Sequence, residues 1–194
     1  MFDDRLELRE AELPSVMADA LVVEDGGRLQ AAQGYAAVLD KRYPELRPMR
    51  EQAAQGSALS LGSALAFRAH DGVVVVWAVT YGDGARDQAE QAVRATPLHI
   101  AAASREALLC AAAKHGARSV ALPALGTRYG HHVLPPVPKK LPRYVMATAQ
   151  LIGIQQALAT NQLQTVTLCL TQRDRAIFAA VLGRADAEDG ADDA

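Results

Sequence analysis

Short apolar runs of strand type alternate along this chain with longer Ala- and Leu-rich runs of helical type. Leu6 to Leu8 alternates apolar with polar positions, and Asp19 to Val23 is a more apolar run ending at Glu24-Asp25-Gly26-Gly27. Together they predict two opening strands, the second closed by a turn. Leu29 to Lys41 is Ala-rich and predicts a helix with Leu29, Ala36, Ala37 and Val38 as inward positions, interrupted by Gly34 and bounded by Pro44. Gly62 to Arg68 and Val73 to Thr80 flank His70-Asp71-Gly72, the composition of a hairpin turn between antiparallel strands.

Thr96-Pro97 supplies an N-cap and a first helical residue for a long Ala/Leu helix, which His115-Gly116 should end because glycine accepts the left-handed cap position. Ser119 to Pro123 reads as a buried strand that runs directly into Gly126-Thr127-Arg128-Tyr129-Gly130. After the proline-rich stretch from Val133 to Pro142, the positions of Val145, Met146, Ala149, Ile152 and Leu158 predict an amphipathic helix capped near Asn161. Val166 to Leu170 is a further strand and Asp174 to Leu182 a closing helix. Strands alternating with helices around one hairpin predict an α/β fold, a mixed sheet sandwiched by helices, and no repeat of solenoid period is present.

Composition narrows this picture. The chain has 194 residues, half of them hydrophobic, which suffices for one sizeable core. One domain over residues 1–183 is expected, with 184–194 as an acidic tail too poor in hydrophobic bulk to order itself. Twenty basic residues stand against 22 acidic ones, a net charge of −2. No general attraction to nucleic acid or to an anionic membrane follows, so any anion site must be local. Cys110 and Cys169 are too few for a disulfide scaffold and wrongly spaced for zinc, and they read as core residues. The charged start of the chain has no apolar signal region and no apolar stretch reaches membrane-spanning length, so a cytoplasmic location is expected by default.

The candidate chemistry centres on Ser119-Val120-Ala121-Leu122-Pro123-Ala124-Leu125-Gly126-Thr127. In open α/β sheets ligands collect at the carboxyl ends of strands, where loop amides can donate hydrogen bonds. Successive amides in a glycine-containing loop form a concave nest that suits phosphate without basic side chains, although the same strand-then-glycine pattern is also common as plain structure. This segment resembles the strand and diphosphate loop of macrodomains, the ADP-ribose-binding family. Ala11-Glu12-Leu13 and Asp19-Ala20-Leu21-Val22 resemble that family's amino-terminal Gly-Asp-Ile and Asp-Ala-Ile-Val at the same spacing, and Trp77-Ala78-Val79-Thr80 resembles its mid-sheet strand.

The resemblance covers about residues 5 to 182. It implies a three-layer α/β/α sandwich with a mixed, mostly parallel central sheet and ADP-ribose in a cleft along its crest. Glu12 and Leu13 would then meet the adenine. Leu125, Gly126, Thr127, Arg128, Tyr129 and Gly130 would line the diphosphate, and Asp25, Gly26 and Gly34 would complete the ligand-binding set.

Departures from the family pattern shape the functional expectation. Where the family carries Asn-Ala-Ala-Asn, this chain has Val23-Glu24-Asp25-Gly26, so the Asn that contacts the distal ribose is replaced by Gly26. Only Gly34 remains of a three-glycine loop, and Gly126 to Gly130 departs from Gly-Thr-Gly-x-aromatic-Gly at Arg128. Arg128 either pairs with phosphate oxygens or occupies the groove. Positioning dominates catalysis of this kind, so the lost Asn points to a binding module for ADP-ribose or a related nucleotide diphosphate, with no catalytic residue assigned and no cofactor.

Alternatives are a divergent ADP-ribosyl hydrolase using Asp25, Glu24 or His131, which would act on an ADP-ribosylated protein, and a degenerate macrodomain used for protein contacts. Each candidate residue also has a plain structural explanation. Glu12 is equally a solvated carboxylate and Asp25 a turn residue. His131 and His132, adjacent on the chain, make a poor metal pair, and no metal site is expected. Lys139, Lys140 and Arg143 form a small basic cluster, and Trp77 reads as core rather than as a stacking platform.

Overall fold

A computed structural model of the protein describes residues 3–30, 34–55, 58–82, 95–126 and 141–184, with side chains in the last segment from residue 143. Among the described residues the apolar runs become six strands, β1 Leu6–Glu10, β2 Ala20–Gly26, β3 Ala64–Arg68, β4 Val74–Tyr81, β5 Ser119–Pro123 and β6 Thr165–Leu170. They form one sheet in the order β1-β6-β5-β2-β4-β3. Every neighbouring pair is parallel except the β3–β4 hairpin. β2 and β4 read as near-continuous apolar runs because helices cover both of their faces.

Side chains alternate across the sheet with period two. Ala20 and Val22 of β2, with Val74, Val76 and Ala78 of β4, point into one core beneath α3 Pro97–Leu109, α4 Leu141–Leu158 and α5 Gln172–Val181. Leu21 and Val23, with Val75, Trp77 and Val79, point into a second core beneath α1 Gly34–Arg42 and α2 Arg47–Ala53. The result is the three-layer α/β/α arrangement with a mixed, mostly parallel sheet.

Caps foreseen in the sequence take their places. Thr96 and His99 form a reciprocal capping box at the start of α3, the imidazole standing where a Glu or Gln usually does. α3 continues through a π-helical turn, Cys110–Lys114, before Gly116 adopts φ +68°. Asn161 takes φ +58° after α4.

Other details differ from the sequence expectation. β2 runs on past Val23 to Gly26, and Leu29 does not begin a helix. It sits in a left-handed turn, buried, with its amide donating to the Gly26 carbonyl. In α1, described over Gly34–Arg42, Ala36 and Leu39 face the core and Val38 is 45% exposed. α2 was not anticipated, because Arg47–Ala53 has almost no apolar periodicity; it is held instead by Arg50, which points inward. Arg184, counted with the tail in the sequence, donates to the Leu6 carbonyl, and the remainder of the acidic tail lies outside the described residues.

Asp19 fastens the two central parallel strands at their amino ends. Its Oδ2 accepts from the Arg118 and Ser119 amides at 2.9 Å each, while its own amide donates to the Ser119 hydroxyl. Those two amide bonds hold its carboxyl below the usual range. A depressed folded-state pKa means the stabilisation is complete above the unfolded value, about 3.9, and is lost as pH falls through the folded one. Asp19→Ala should therefore cost about 1 kcal/mol near neutrality, a value kept small because the carboxylate is exposed. The difference from the parent in urea titrations should be constant near neutrality and shrink as pH falls through the lowered folded-state value.

Candidate functional site

Five parallel strands place their carboxyl ends along one edge of the sheet, the edge where α/β folds gather ligands. Glu12 and Leu13 follow β1 there, Leu125 and Gly126 follow β5, and Glu24, Asp25 and Gly26 end β2 beside Thr80 and Tyr81 of β4. The crevice between β5 and β2 is a gap in their backbone pairing. Their ladder holds only at Ala20–Val120 and Leu21–Ala121, while β2 continues to pair with β4 as far as Gly26 and β5 with β6 as far as Pro123.

A register shift in the β2–β4 ladder sets Gly26 against Tyr81 after Asp25 against Val79. Such bulges re-aim side chains at the ends of sheets. Just before the shift, ordinary strand alternation sends the two adjacent carboxylates of β2 to opposite faces. Glu24 Oε2 reaches across the crevice to accept from the Gly126 amide at 3.0 Å and from the Thr80 hydroxyl at 3.3 Å. Asp25, only 1% exposed, accepts from the Gly26 amide at 2.8 Å and from the Tyr81 hydroxyl at 3.2 Å. Asp25 is thus a buried strand residue at the crest rather than a solvated turn residue.

The beginning of the glycine loop is built into the core. Leu125 is fully buried, its amide donates to Gln150 Oε1 at 2.9 Å, and Gln150 Nε2 returns a bond to the Pro123 carbonyl at 2.8 Å. Gly126 has φ +71°, and a Cβ there would lie 2.6 Å from Ile100 Cδ1 of α3. The left-handed backbone conformation therefore favours glycine, and any Cβ there would also force the Ile100 side chain to shift. Gly27 answers a different demand, a Cβ there falling 2.6 Å from the Leu59 carbonyl oxygen. Thr127, Arg128, Tyr129, Gly130, His131, His132, Lys139 and Lys140 lie outside the described residues. Arg143, grouped with those lysines in the sequence, faces Asp174 at 3.4 Å and braces α4 against α5.

At the other end of the edge, Gly34 opens α1 with φ +61° and sets Tyr35 over Glu12. The Tyr35 hydroxyl donates to Glu12 Oε2 at 2.7 Å. Burial, reinforced by that bond, pushes the phenol up to about 12, so it remains a donor across the physiological range. The Glu12 carbonyl accepts from the Ser15 amide and hydroxyl, and Leu13 is buried beneath α1. Hydrogen bonds thus join Glu24 to Gly126 and Glu12 to Tyr35 as separate pairs on one edge.

The described histidines and cysteines away from this edge have structural roles. His70 pairs with Glu45 and His99 closes the capping box. Burial lowers the pKa of His115, and Cys110 and Cys169 are buried free thiols, the latter pushed up to about 11 by burial. Among the described residues no group of three ligating side chains could hold a metal, and no helix is long and apolar enough to cross a membrane. Sequence reading missed Tyr35 and Gln150. Gln150 had a signal, a polar residue on the buried stripe of Met146, Ala147, Leu151 and Ile154. Tyr35 had none.

No protein-family model matches the sequence, and no curated protein matches it. Solved structures do. A macrodomain of Oceanobacillus iheyensis in a mutant form superposes with TM-score 0.68 at 19% identity, over 92% of this chain and 90% of that one. The macrodomain of Mycobacterium tuberculosis DarG gives 0.58 at 17% identity, over 86% and 96%. A Trypanosoma brucei macrodomain, solved in complex with ADP-ribose, gives 0.67 at 17% identity, over 92% and 69%. On these likenesses, at 17–19% identity, this chain has the macrodomain fold.

Proposed function

We propose that the chain is a binding module for ADP-ribose or a related nucleotide diphosphate. Glu12 and Leu13 serve the adenine, the loop from Gly126 through Thr127, Arg128 and Tyr129 to Gly130 serves the diphosphate, and Asp25, Gly26 and Gly34 lie toward the distal ribose. Leu125 contributes by packing, since its amide is held by Gln150. The observation that carries this reading is the early end of the β2–β5 ladder beside the left-handed Gly126, at the carboxyl edge where α/β sheets gather ligands. In the same fold the Trypanosoma brucei protein holds ADP-ribose.

Binding fits this edge better than hydrolysis. Gly26 stands where an Asn would orient the distal ribose, and Asp25 is turned inward to Tyr81. Calorimetric titration of the full chain with ADP-ribose should give saturable heat, whereas a mono-ADP-ribosylated protein should not release ADP-ribose. Absence of heat at millimolar ligand, with the chain folded by circular dichroism, removes the binding reading. Turnover that Asp25→Asn abolishes would replace it with the hydrolase.

A further inference from the structure

The Gly126 amide is the first donor of the glycine loop, yet it already has an acceptor. Glu24 Oε2 lies 3.0 Å from it and 3.3 Å from the Thr80 hydroxyl, so one carboxylate spans the crevice from β2 to β5 and is steadied from β4. A carboxylate seated on a backbone amide at a left-handed glycine has the donor geometry and the charge that a phosphate oxygen would bring to the same place. Two anions cannot share one amide without repulsion in a partly desolvated crevice.

We infer that Glu24 is an internal competitor for the diphosphate position and sets the specificity of the crevice, so that an anionic ligand must displace its carboxylate from the Gly126 amide. This rests on the proposal of nucleotide diphosphate binding and goes beyond it. The placement is built rather than accidental. Only Glu24 of the two adjacent carboxylates faces the splayed side of β2; Asp25, one residue on, turns to Tyr81. The ladder between β2 and β5 has already ended, so the Glu24 side chain supplies a cross-link at this level of the sheet. Its loss leaves the Gly126 amide open and removes one negative charge from the path of a phosphate.

The test compares ADP-ribose titrations of the parent chain, Glu24→Gln and Glu24→Ala at one pH and ionic strength. Glu24→Gln keeps the volume and removes the charge, which separates competition from packing. Tightening by roughly tenfold or more is expected in both variants, the scale of releasing an amide from a charged acceptor. The Gly126 amide proton resonance should move upfield in Glu24→Ala without ligand, and in the parent on saturation it should report the exchange of one acceptor for another.

Equal affinity in all three proteins, or weaker binding by the variants, overturns the competitor role while leaving the nucleotide reading standing. Absence of binding by all three, each folded, removes both.

Discussion

Replacing Asp40 by Ala is expected to destabilise the protein by roughly 3–5 kcal/mol, the cost of leaving a buried charge without its partner. Asp40 on α1 faces Arg50 Nη1 of α2 at 2.7 Å and also holds Arg47 on the surface, with Nη2 at 2.5 Å. Arg50 is only 3% exposed, and its Nε makes no hydrogen bond. Beneath it lies the Trp77 ring, 5.7 Å from the guanidinium carbon, with an indole nitrogen that is also buried and unpaired. Without Asp40 the cation keeps only the face of that ring, worth about 1–2 kcal/mol against a larger desolvation penalty.

The midpoint of thermal unfolding should fall by roughly 10 °C, at a few degrees per kcal/mol for a chain of this size. Because Trp77 is the sole tryptophan, its fluorescence reports the transition from within the affected core. Arg50→Met should cost far less, since an apolar side chain of similar length needs no counter-charge, and the double variant should recover most of the Asp40→Ala loss. A loss under about 1 kcal/mol for Asp40→Ala would show that Arg50 reaches water and that α2 is not pinned by it.

Gly153→Ala is the second large effect, on the opposite side of the sheet. α4 crosses α3 at this glycine, where an added Cβ would lie 2.2 Å from the Ala101 carbonyl oxygen and 3.0 Å from Ser104 Cβ. Helix propensity alone favours alanine by about 1 kcal/mol. The overlap opposes it and should win, because the atom in the way is backbone and cannot swing aside. Relief requires the two helices to part along their shared seam, so a net loss of about 2–3 kcal/mol is expected in urea denaturation. A neutral or stabilising outcome would mean that the helices are farther apart than their carbonyl contact implies.

Much of the fold was legible because strand residues report their faces directly. The run Val73 to Thr80 indicated one strand of a hairpin, and Gly116 and Asn161 marked helix ends through a conformation that other residues avoid. The Leu29 turn and α2 were not legible, for opposite reasons. Leu29 is a good helix former held in a turn by burial and by the Gly26 carbonyl, whereas Arg47–Ala53 buries an arginine, which no apolar pattern announces. At the candidate site, Gly126 could be picked out as a glycine at the end of a buried strand. The partners that occupy its amide and that of Leu125 come from about 100 residues earlier, in Glu24, and 25 later, in Gln150, separations that local pattern does not encode.

The outer strand β1 pairs in parallel with β6 alone, and α5 packs behind it, while Arg5 donates to the carbonyls of Leu158 and Leu163. A ribosome therefore releases β1 long before its partner exists. Until residues 165–170 emerge, Leu6–Glu10 has no place in the sheet, because β6 lies between β5 and β1. Such late, long-range parallel pairing is slow and leaves an open edge on the nascent chain. The charged residues of β1, Glu7, Arg9 and Glu10, disfavour recruitment of a neighbouring chain by that waiting strand.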